Sequence, residues 1–318
     1  MLADFADKLR TNYFFNKFLY PPLTYVRSRI LYRIFNNESN NINFRYKFQS
    51  LIALLKSKLF LYPNDKVNLF ILGAAKSGTT SLQKYLTMHS KILSPVYGKE
   101  CHYFDIDSFF NNSNEMKNQS QYRAIFPKEP IGDNKYFLDA TPNHYFYPNS
   151  IERIYKYNPT AKLILILRNP VDRAYSFWNM QYKSKKIIHS FEKNVELEFD
   201  LINNKSKKHF RSLHIIRAGL YSHYIEKIYL IFPKENVKIY FMEDLKNQKT
   251  TVLKNIFHFL NLKYDSEIFE EKNVKANSRI YKKKIPVELK RKLINFYKQD
   301  ILNLEKLTNK KLDHWYEL

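Results

Sequence analysis

The sequence predicts an α/β fold in three layers, with a central parallel sheet flanked by helices. Three observations carry this prediction. Residues 67–90 pass from an apolar run through a loop of small residues into a helical pattern, which is the order strand, loop, helix. Residues 162–168 read KLILILR, an unbroken apolar run of the kind that is buried on both faces of a parallel sheet. A further strand pattern lies at 237–245, after a clear helix start at 170.

The loop after the first predicted strand reads GAAKSGTT. Gly73 and Gly78 allow tight turns, and the free N–H groups at the start of the next helix favour an anion. In the nucleoside triphosphate loop a lysine stands where this chain has Thr79, whereas here Lys76 lies inside the loop. The hydroxyls of Thr79 and Thr80 can reach the same anion. The pattern predicts a P-loop-like phosphate site with no obligatory metal, and an ordinary turn between strand and helix is the alternative.

The bulk composition limits the function classes. The chain has 318 residues, of which 44% are hydrophobic, enough to fill a sizeable core. A net charge of +23 favours negatively charged partners, but it does not choose among nucleic acid, acidic polysaccharide, anionic lipid and a polyanionic cofactor. The single cysteine, Cys101, excludes an internal disulfide and a multi-cysteine zinc site. No apolar run reaches the roughly 18 residues of a membrane span and no signal peptide is evident, so we expect a cytoplasmic protein.

The chain is expected to divide into an appendage and a main domain. Residues 1–65 are basic and aromatic and are predicted to be a mostly helical appendage, followed by a main domain at 66–318. Packing of the appendage on the main domain is favoured over peripheral contact with an anionic membrane, because aromatic stripes at helical spacing are more often core. Residues 111–121 are predicted to be a loop, and 183–216 a charged insertion with an apolar stripe. Further helices are predicted at 149–157, from 170, at 249–262 and after Pro286.

Two predicted strands end in polar residues. The strand KYFLD ends at Asp139, and Pro142 forces an extended or turning exit. The strand at 162–168 ends at Arg168, after which Asn169 is suited to cap a helix and Pro170 to begin it. Because ligands of open α/β sheets collect at the carboxyl ends of strands, Arg168 is expected at a binding edge.

Three motifs carry a resemblance that covers 67–315: GAAKSGTT, KECHYF at 99–104 and LILILRNPVDRAYS at 163–176. Together they resemble the sulfotransferases that use 3′-phosphoadenosine 5′-phosphosulfate, especially the branch of heparan sulfate sulfotransferases and their bacterial relatives. The resemblance implies transfer of a sulfuryl group to a hydroxyl or amine, with adenosine 3′,5′-bisphosphate as product and no metal. A saccharide or lipid-linked saccharide is the expected acceptor, and no nucleic-acid partner is expected.

The resemblance also assigns residues to the two ends of the donor. Its 5′-phosphosulfate would lie in the loop of Lys76, Ser77, Gly78, Thr79 and Thr80. Lys76 would also meet the charge that grows on the leaving phosphate oxygen. The 3′-phosphate would contact Arg168 and Ser176, since a guanidinium suits bidentate contact with phosphate.

The chain departs from the pattern of the heparan branch at two places. The branch has glutamate at the position of Asp139, so the base that accepts the acceptor's proton is expected to be Asp139, or else Glu100 or His102, in that order. The Lys-Gly-Arg loop of the branch is missing. The residues expected to cover the 3′-phosphate or ribose in its place are Asn277, Ser278, Arg279 and Lys283.

Two alternatives to a sulfotransferase stay open at this point. One is a P-loop nucleotide kinase, against which the missing loop lysine argues. The other is a non-catalytic relative of the fold that binds a polyanion or a nucleotide. Thermal stabilisation by adenosine 3′,5′-bisphosphate would separate a cofactor binder from a protein that does not bind it.

Overall fold

The computed structural model describes residues 65–96, 98–110, 115–128, 135–203, 214–270 and 284–318. These residues divide into two compact units, a small one with Asp65 and 115–128 and a large one with all the others. Apart from Asp65, the expected appendage lies outside the described residues. The division into an appendage and a main domain therefore stays a prediction.

The large unit is built on a five-stranded sheet. Its strands are β1 (Leu69–Gly73), β2 (Ile92–Leu93), β3 (Tyr136–Asp139), β4 (Lys162–Leu167) and β5 (Val237–Phe241). They lie in the order β2-β3-β1-β4-β5, and each neighbouring pair is parallel. The predicted α/β class with a central parallel sheet is confirmed.

Helices follow or connect the strands along the whole described chain. They are α1 (Thr79–Leu86), α2 (Glu115–Arg123), α3 (Ser150–Tyr157), α4 (Pro170–Lys183), α5 (Phe191–Asn203), α6 (Tyr221–Ile231), α7 (Met242–Asn247), α8 (Lys249–Phe259), α9 (Ser266–Glu270) and α10 (Val287–Thr308). Helix α2 belongs to the small unit. Short 3₁₀ turns lie at Asp107–Phe109, Arg217–Gly219, Lys234–Asn236 and Asp313–Trp315.

Side chains cover both faces of the sheet. On one face, Leu69 and Ile71 of β1 join a buried apolar cluster that includes residues of α1 and α8. On the other face, the ring of Phe70 meets that of Phe104 with centroids 5.9 Å apart. Strand β4 is buried from Leu163 onwards, as its unbroken apolar run predicts. The three-layer arrangement is thereby confirmed.

Two element predictions were wrong. Residues 111–121 were expected to be a loop, but α2 begins at Glu115. The side chains that anchor this region, Tyr122 and Phe126, are buried and lie just beyond the polar stretch on which the loop prediction rested. The strand expected at 237–245 ends at Phe241, and α7 begins at once, with Glu243 and Asp244 in its first turn. Acidic residues there stabilise a helix start through its dipole.

The predicted insertion at 183–216 contains α5. Phe191 and Val195 of the expected apolar stripe are buried, as is Glu198 one turn further along. A stripe of hydrophobic residues thus located the packed face, but it did not reveal the acid that shares it.

The strand order creates a crevice at the carboxyl edge of the sheet. Strand β1 leads to β2 on one side of the sheet, whereas the neighbouring β4 leads to β5 on the other. Connections that leave adjacent parallel strands in opposite directions open a ligand-binding crevice between them. The loop after β1 and the start of α4 after β4 therefore meet at this edge.

Candidate active site

The loop between β1 and α1 forms a tight cradle at the crevice. Lys76 and Gly78 adopt left-handed backbone, with φ of 73° and 95°. The N–H of Ala74 donates to a carbonyl of β4 at 2.8 Å, which fixes the loop to the neighbouring strand. A Cβ at Gly73 would lie 2.2 Å from the ring of Tyr145, so only glycine fits there. This path brings the free N–H groups of the first turn of α1 to the carboxyl edge, where they can bind an anion.

Two threonine hydroxyls and the ammonium of Lys99 lie at this helix end. The ammonium of Lys99 donates to the hydroxyl of Thr79 at 2.9 Å and to that of Thr80 at 3.2 Å. The ammonium of Lys76 lies 3.8 Å from the sulfur of Met180 on α4. Sequence reasoning missed Lys99, because nothing in the spacing shows that a residue 20 positions after Thr79 returns to it. The available signal was its place in KECHYF, directly before Glu100.

Ser77 has a different environment from the rest of the loop. Its side chain is fully buried, and its N–H donates to the carbonyl of Ala74 at 3.1 Å. Its hydroxyl lies beside that of Tyr221, whose pKa burial raises to about 12. Ser77 therefore supports the loop from the inside.

Arg168 lies beside the loop, directly after β4. One guanidinium nitrogen donates to the carbonyl of Lys76 at 3.4 Å, and another lies 3.4 Å from the carboxylate of Asp172. The carbonyl of Arg168 accepts the hydroxyl of Tyr221 at 2.8 Å. Lys76 and Arg168, expected to hold opposite ends of one nucleotide, thus lie at the same edge of the sheet.

Helix α4 begins as its sequence predicts. The side chain of Asn169 accepts the N–H of Val171 at 3.0 Å and that of Asp172 at 3.4 Å, and Pro170 is the first helical residue. Ser176 lies two turns into the helix, on its buried side.

A row of three ionisable side chains runs from the crevice into the interior: Glu100, His102 and Asp105. The Nε2 atom of His102 is 3.1 Å from the carboxylate of Glu100, and its Nδ1 atom is 2.7 Å from that of Asp105. The exposed fraction of the side chains falls along the row from 39% to 12% to 2%. Burial by itself would lower the pKa of His102, but the two carboxylates outweigh it and raise the pKa to about 9. The imidazole is therefore protonated at neutral pH and cannot accept a further proton.

Asp139 ends β3 as predicted, but it is fully buried. One of its oxygens accepts the N–H and the hydroxyl of Thr141 at 3.0 and 2.6 Å, and the other lies 3.5 Å from Nε2 of His144. The hydroxyl oxygen of Thr141 in turn accepts the N–H groups of Cys101 and His102 at 2.9 and 3.2 Å. One donor and two acceptor positions of that hydroxyl are thereby used. Asp139 thus holds the backbone of the KECHYF segment through Thr141.

A buried acid supports the site from the side of α5. Glu198 accepts the N–H of Ile216 at 2.9 Å and that of Arg217 at 2.8 Å. Burial raises the pKa of Glu198 to about 7, although these two hydrogen bonds oppose the shift. The segment it holds leads into Tyr221, which donates to the carbonyl of Arg168. Glu198 is therefore connected to Arg168 through one short stretch of backbone and the side chain of Tyr221.

The four residues that were predicted to cover the 3′-phosphate or ribose lie outside the described residues; they are Asn277, Ser278, Arg279 and Lys283.

In the parts of the chain that the structure describes, no group of three or more His, Cys, Asp or Glu is arranged to hold a metal ion. None of the described helices is both long and apolar enough to span a membrane.

The sulfotransferase domain family matches residues 66–314. The chain belongs to this family. A sulfotransferase from Alicyclobacillus acidocaldarius, known from its crystal structure, is similar with a TM-score of 0.64 and 27% identity, over 80% of this chain and 100% of that one. The membrane-associated sulfotransferase kil1 of Dictyostelium discoideum is 25% identical over 80% of this chain and 67% of its own length. The human bifunctional heparan sulfate N-deacetylase/N-sulfotransferase 3 is 25% identical over 76% of this chain, which spans only 29% of that relative.

Family membership confirms three predictions from the sequence: the resemblance itself, a sulfotransferase as the enzyme class, and 3′-phosphoadenosine 5′-phosphosulfate as the donor. The residues present fit this donor. The loop offers the backbone N–H groups at the start of α1 together with Lys76, and the guanidinium of Arg168 lies beside it. A nucleotide with phosphates at both its 5′ and 3′ positions needs two such sites.

Proposed function

We propose that this sulfotransferase moves the sulfuryl group of 3′-phosphoadenosine 5′-phosphosulfate to a hydroxyl or amine of a saccharide or lipid-linked saccharide. One observation carries the proposal. The Lys76 loop and the guanidinium of Arg168 meet at the crevice, and Lys99, which contacts the first turn of α1, is followed directly by Glu100. The donor supplies an activated sulfuryl group, and the chain supplies positive charge, orientation and a base.

Glu100 is the base in this proposal. Its side chain is the most exposed in the row of three, so an acceptor can reach it. Asp139, ranked first from the resemblance, is a weaker candidate because it is fully buried and both of its oxygens are engaged. His102 is ranked below Glu100 because it is protonated at neutral pH. We assign His102 and Asp105 to holding the Glu100 carboxylate in place.

In the proposed transfer step one bond to sulfur forms and another breaks. The acceptor oxygen or nitrogen forms a bond to sulfur while its proton passes to the carboxylate of Glu100. The bond between sulfur and the bridging oxygen of the 5′-phosphate breaks, and its electron pair stays on that oxygen. Lys76 and the N–H groups of α1 are assigned to that growing negative charge, where preorganised donors are most effective.

An acidic saccharide is the acceptor class that we favour. The chain carries a net charge of +23, which attracts polyanions. The pKa of Lys186 is lowered by burial and raised in part by Glu100, so this lysine, just after α4, lies within electrostatic reach of the base. Relatives named for heparan sulfate, such as mouse heparan sulfate glucosamine 3-O-sulfotransferase 5 at 27% identity, support the same class.

We propose a cytoplasmic location for the protein. Peripheral membrane contact through residues 1–65 is the alternative to the packing of this segment on the main domain. The basic and aromatic composition of this segment supports it, as does the description of kil1 as membrane-associated. Sedimentation of the full chain with vesicles of anionic and of neutral lipid measures such contact, and equal binding to both would contradict it.

The test of function is transfer of labelled sulfate from the donor to a panel of saccharides with free hydroxyls or amines. Glu100→Gln should lower kcat by about a hundredfold or more, the usual contribution of a general base. Asp139→Asn should mainly lower thermal stability. Lys84→Met, which removes an exposed lysine from α1, is the matched control and should behave as the wild type.

Two outcomes would contradict the proposal at different levels. A fully active Glu100→Gln variant would remove Glu100 as the base while leaving the enzyme class intact. If the wild type transferred no sulfate to any acceptor and gained no thermal stability from adenosine 3′,5′-bisphosphate, the proposed function itself would fail.

A further inference from the structure

Lys99 makes several polar contacts at the site, although the proposed transfer step gives it no role. Its ammonium lies 2.9 and 3.2 Å from the hydroxyl oxygens of Thr79 and Thr80, and 3.7 Å from the carboxylate of Glu100. Its side chain is only 19% exposed. A largely buried ammonium that bridges the first turn of α1 and the proposed base needs an explanation in terms of the reaction.

We propose that Lys99 is a positioning residue for binding of the phosphosulfate. It would turn the hydroxyl groups of Thr79 and Thr80 toward the bound anion. This inference rests on the proposed function of the site. It assigns a second lysine to the cradle, one that comes from the KECHYF segment and not from the loop itself.

The chemistry of an ammonium fixes the direction of these hydrogen bonds. An ammonium has three donors and no acceptor, whereas a hydroxyl has one donor and two acceptor positions. Thr79 and Thr80 must therefore accept from Lys99, and neither can donate to it. Each hydroxyl proton is left to point elsewhere, and both hydroxyls lie in the first turn of α1, where an anion is favoured. Lys99 thereby orients two hydroxyl O–H groups for hydrogen bonding before the phosphosulfate binds.

The surroundings of Lys99 strengthen this arrangement. Burial lowers the pKa of Lys99, while the nearby charges of Glu100 and Asp139 raise it in part. A poorly hydrated ammonium polarises its partners more than one in water, because the local dielectric is low. The positive charge also lies between the first turn of α1, which is assigned to the leaving phosphate, and Glu100, which is assigned to accept the proton of the acceptor.

A purely structural lysine would behave differently. If Lys99 served only as a counter-ion for Glu100, its loss would affect the base and leave nucleotide binding unchanged. If it acts through the hydroxyls, its loss must weaken nucleotide binding, and the effect must disappear once the hydroxyls are gone. Binding of adenosine 3′,5′-bisphosphate separates the two cases without any acceptor or turnover.

The experiment is a mutant cycle on the full chain, with adenosine 3′,5′-bisphosphate affinity measured by calorimetry. We expect Lys99→Met to weaken binding about tenfold, the usual loss for a charge-assisted hydrogen bond. The double variant Thr79→Val with Thr80→Val should weaken it at least as much. Adding Lys99→Met to that variant should change the affinity by less than about threefold, because its route of action is already removed. Lys84→Met is the matched control.

Each outcome decides the matter. The inference is overturned if the triple variant loses affinity by the product of the losses of Lys99→Met and of the double threonine variant. It is also overturned if Lys99→Met binds the nucleotide as the wild type does. The proposed function stands in both cases. If the wild type does not bind the nucleotide, the proposed function fails first. Should Lys99→Met not fold in thermal unfolding, Lys99→Gln takes its place in the same cycle.

Discussion

Removal of the charge on His102 should change how stability depends on pH. The substitution His102→Asn leaves the backbone undisturbed, since His102 has a φ of 50° and asparagine tolerates the left-handed region well. The folded protein holds the imidazolium between two carboxylates, with a pKa of about 9. In the unfolded chain the value returns to about 6.5.

The direction in which stability changes with pH follows from which state of the protein binds the proton of His102 more tightly. A group whose pKa is raised in the folded state stabilises it fully below the unfolded pKa, and this contribution is lost as the pH rises through the folded pKa. For His102 the window runs from about 6.5 to about 9, a difference of about 2.5 pH units. At 1.36 kcal/mol per unit, the contribution is on the order of 3 kcal/mol. Its side chain is only 12% exposed, so solvent screening removes little of this.

Urea unfolding of wild type and His102→Asn near pH 6 and near pH 9.5 measures the effect. The difference in free energy of unfolding between the two proteins should shrink by about 3 kcal/mol between these conditions. Other groups, such as Cys101, titrate in both proteins, so their contributions to the free energy of unfolding largely cancel in this comparison. A difference that stays constant across the range would refute the charged arrangement of Glu100, His102 and Asp105.

Three further predictions concern other parts of the site. Burial raises the pKa of Glu198 to about 7 in the folded protein. Its contribution to the free energy of unfolding should therefore fall by up to about 3 kcal/mol as the pH rises from about 4.5 to 7. In urea unfolding, the Glu198→Gln variant should lack this decline. Gly73→Ala drives a methyl group into the ring of Tyr145 and should lower the free energy of unfolding by about 1–3 kcal/mol, and an unchanged thermal midpoint would contradict the close approach. Arg168→Met should raise the dissociation constant for adenosine 3′,5′-bisphosphate at least about tenfold in calorimetry, whereas the exposed Arg291→Met should not.

The successes of the sequence prediction came from local signals. The order strand, loop, helix at 67–90, the buried run of β4 and the start of α4 at Asn169 and Pro170 each depend on neighbouring residues alone. The tight turn between β1 and α1 belongs with them, because Gly78 adopts the left-handed backbone that its residue type allows, while phosphate binding by this loop stays a prediction. These features could be predicted because short-range sterics and hydrogen bonding decide them.

The ranking of the candidate bases did not follow from local signals. Asp139 ends a strand, as a site residue should, but Thr141 and His144 enclose it. Glu100 stays at the crevice because Thr141 holds the backbone next to it. Which carboxylate reaches a ligand depends on contacts between segments about 40 residues apart, which no periodicity reports.

By itself, the sequence determined the sheet's class, the turn between β1 and α1 and the family, since motif spacing and apolar periodicity are properties of the chain in one dimension. Only the tertiary structure decided that Lys99 returns to Thr79 and Thr80, that His102 is held as a cation, and that Glu198 is buried beneath the segment next to Arg168. The physical reason is that a side chain's charge and hydrogen-bond role are set by burial and by partners distant in sequence, which exist only once the layers have packed.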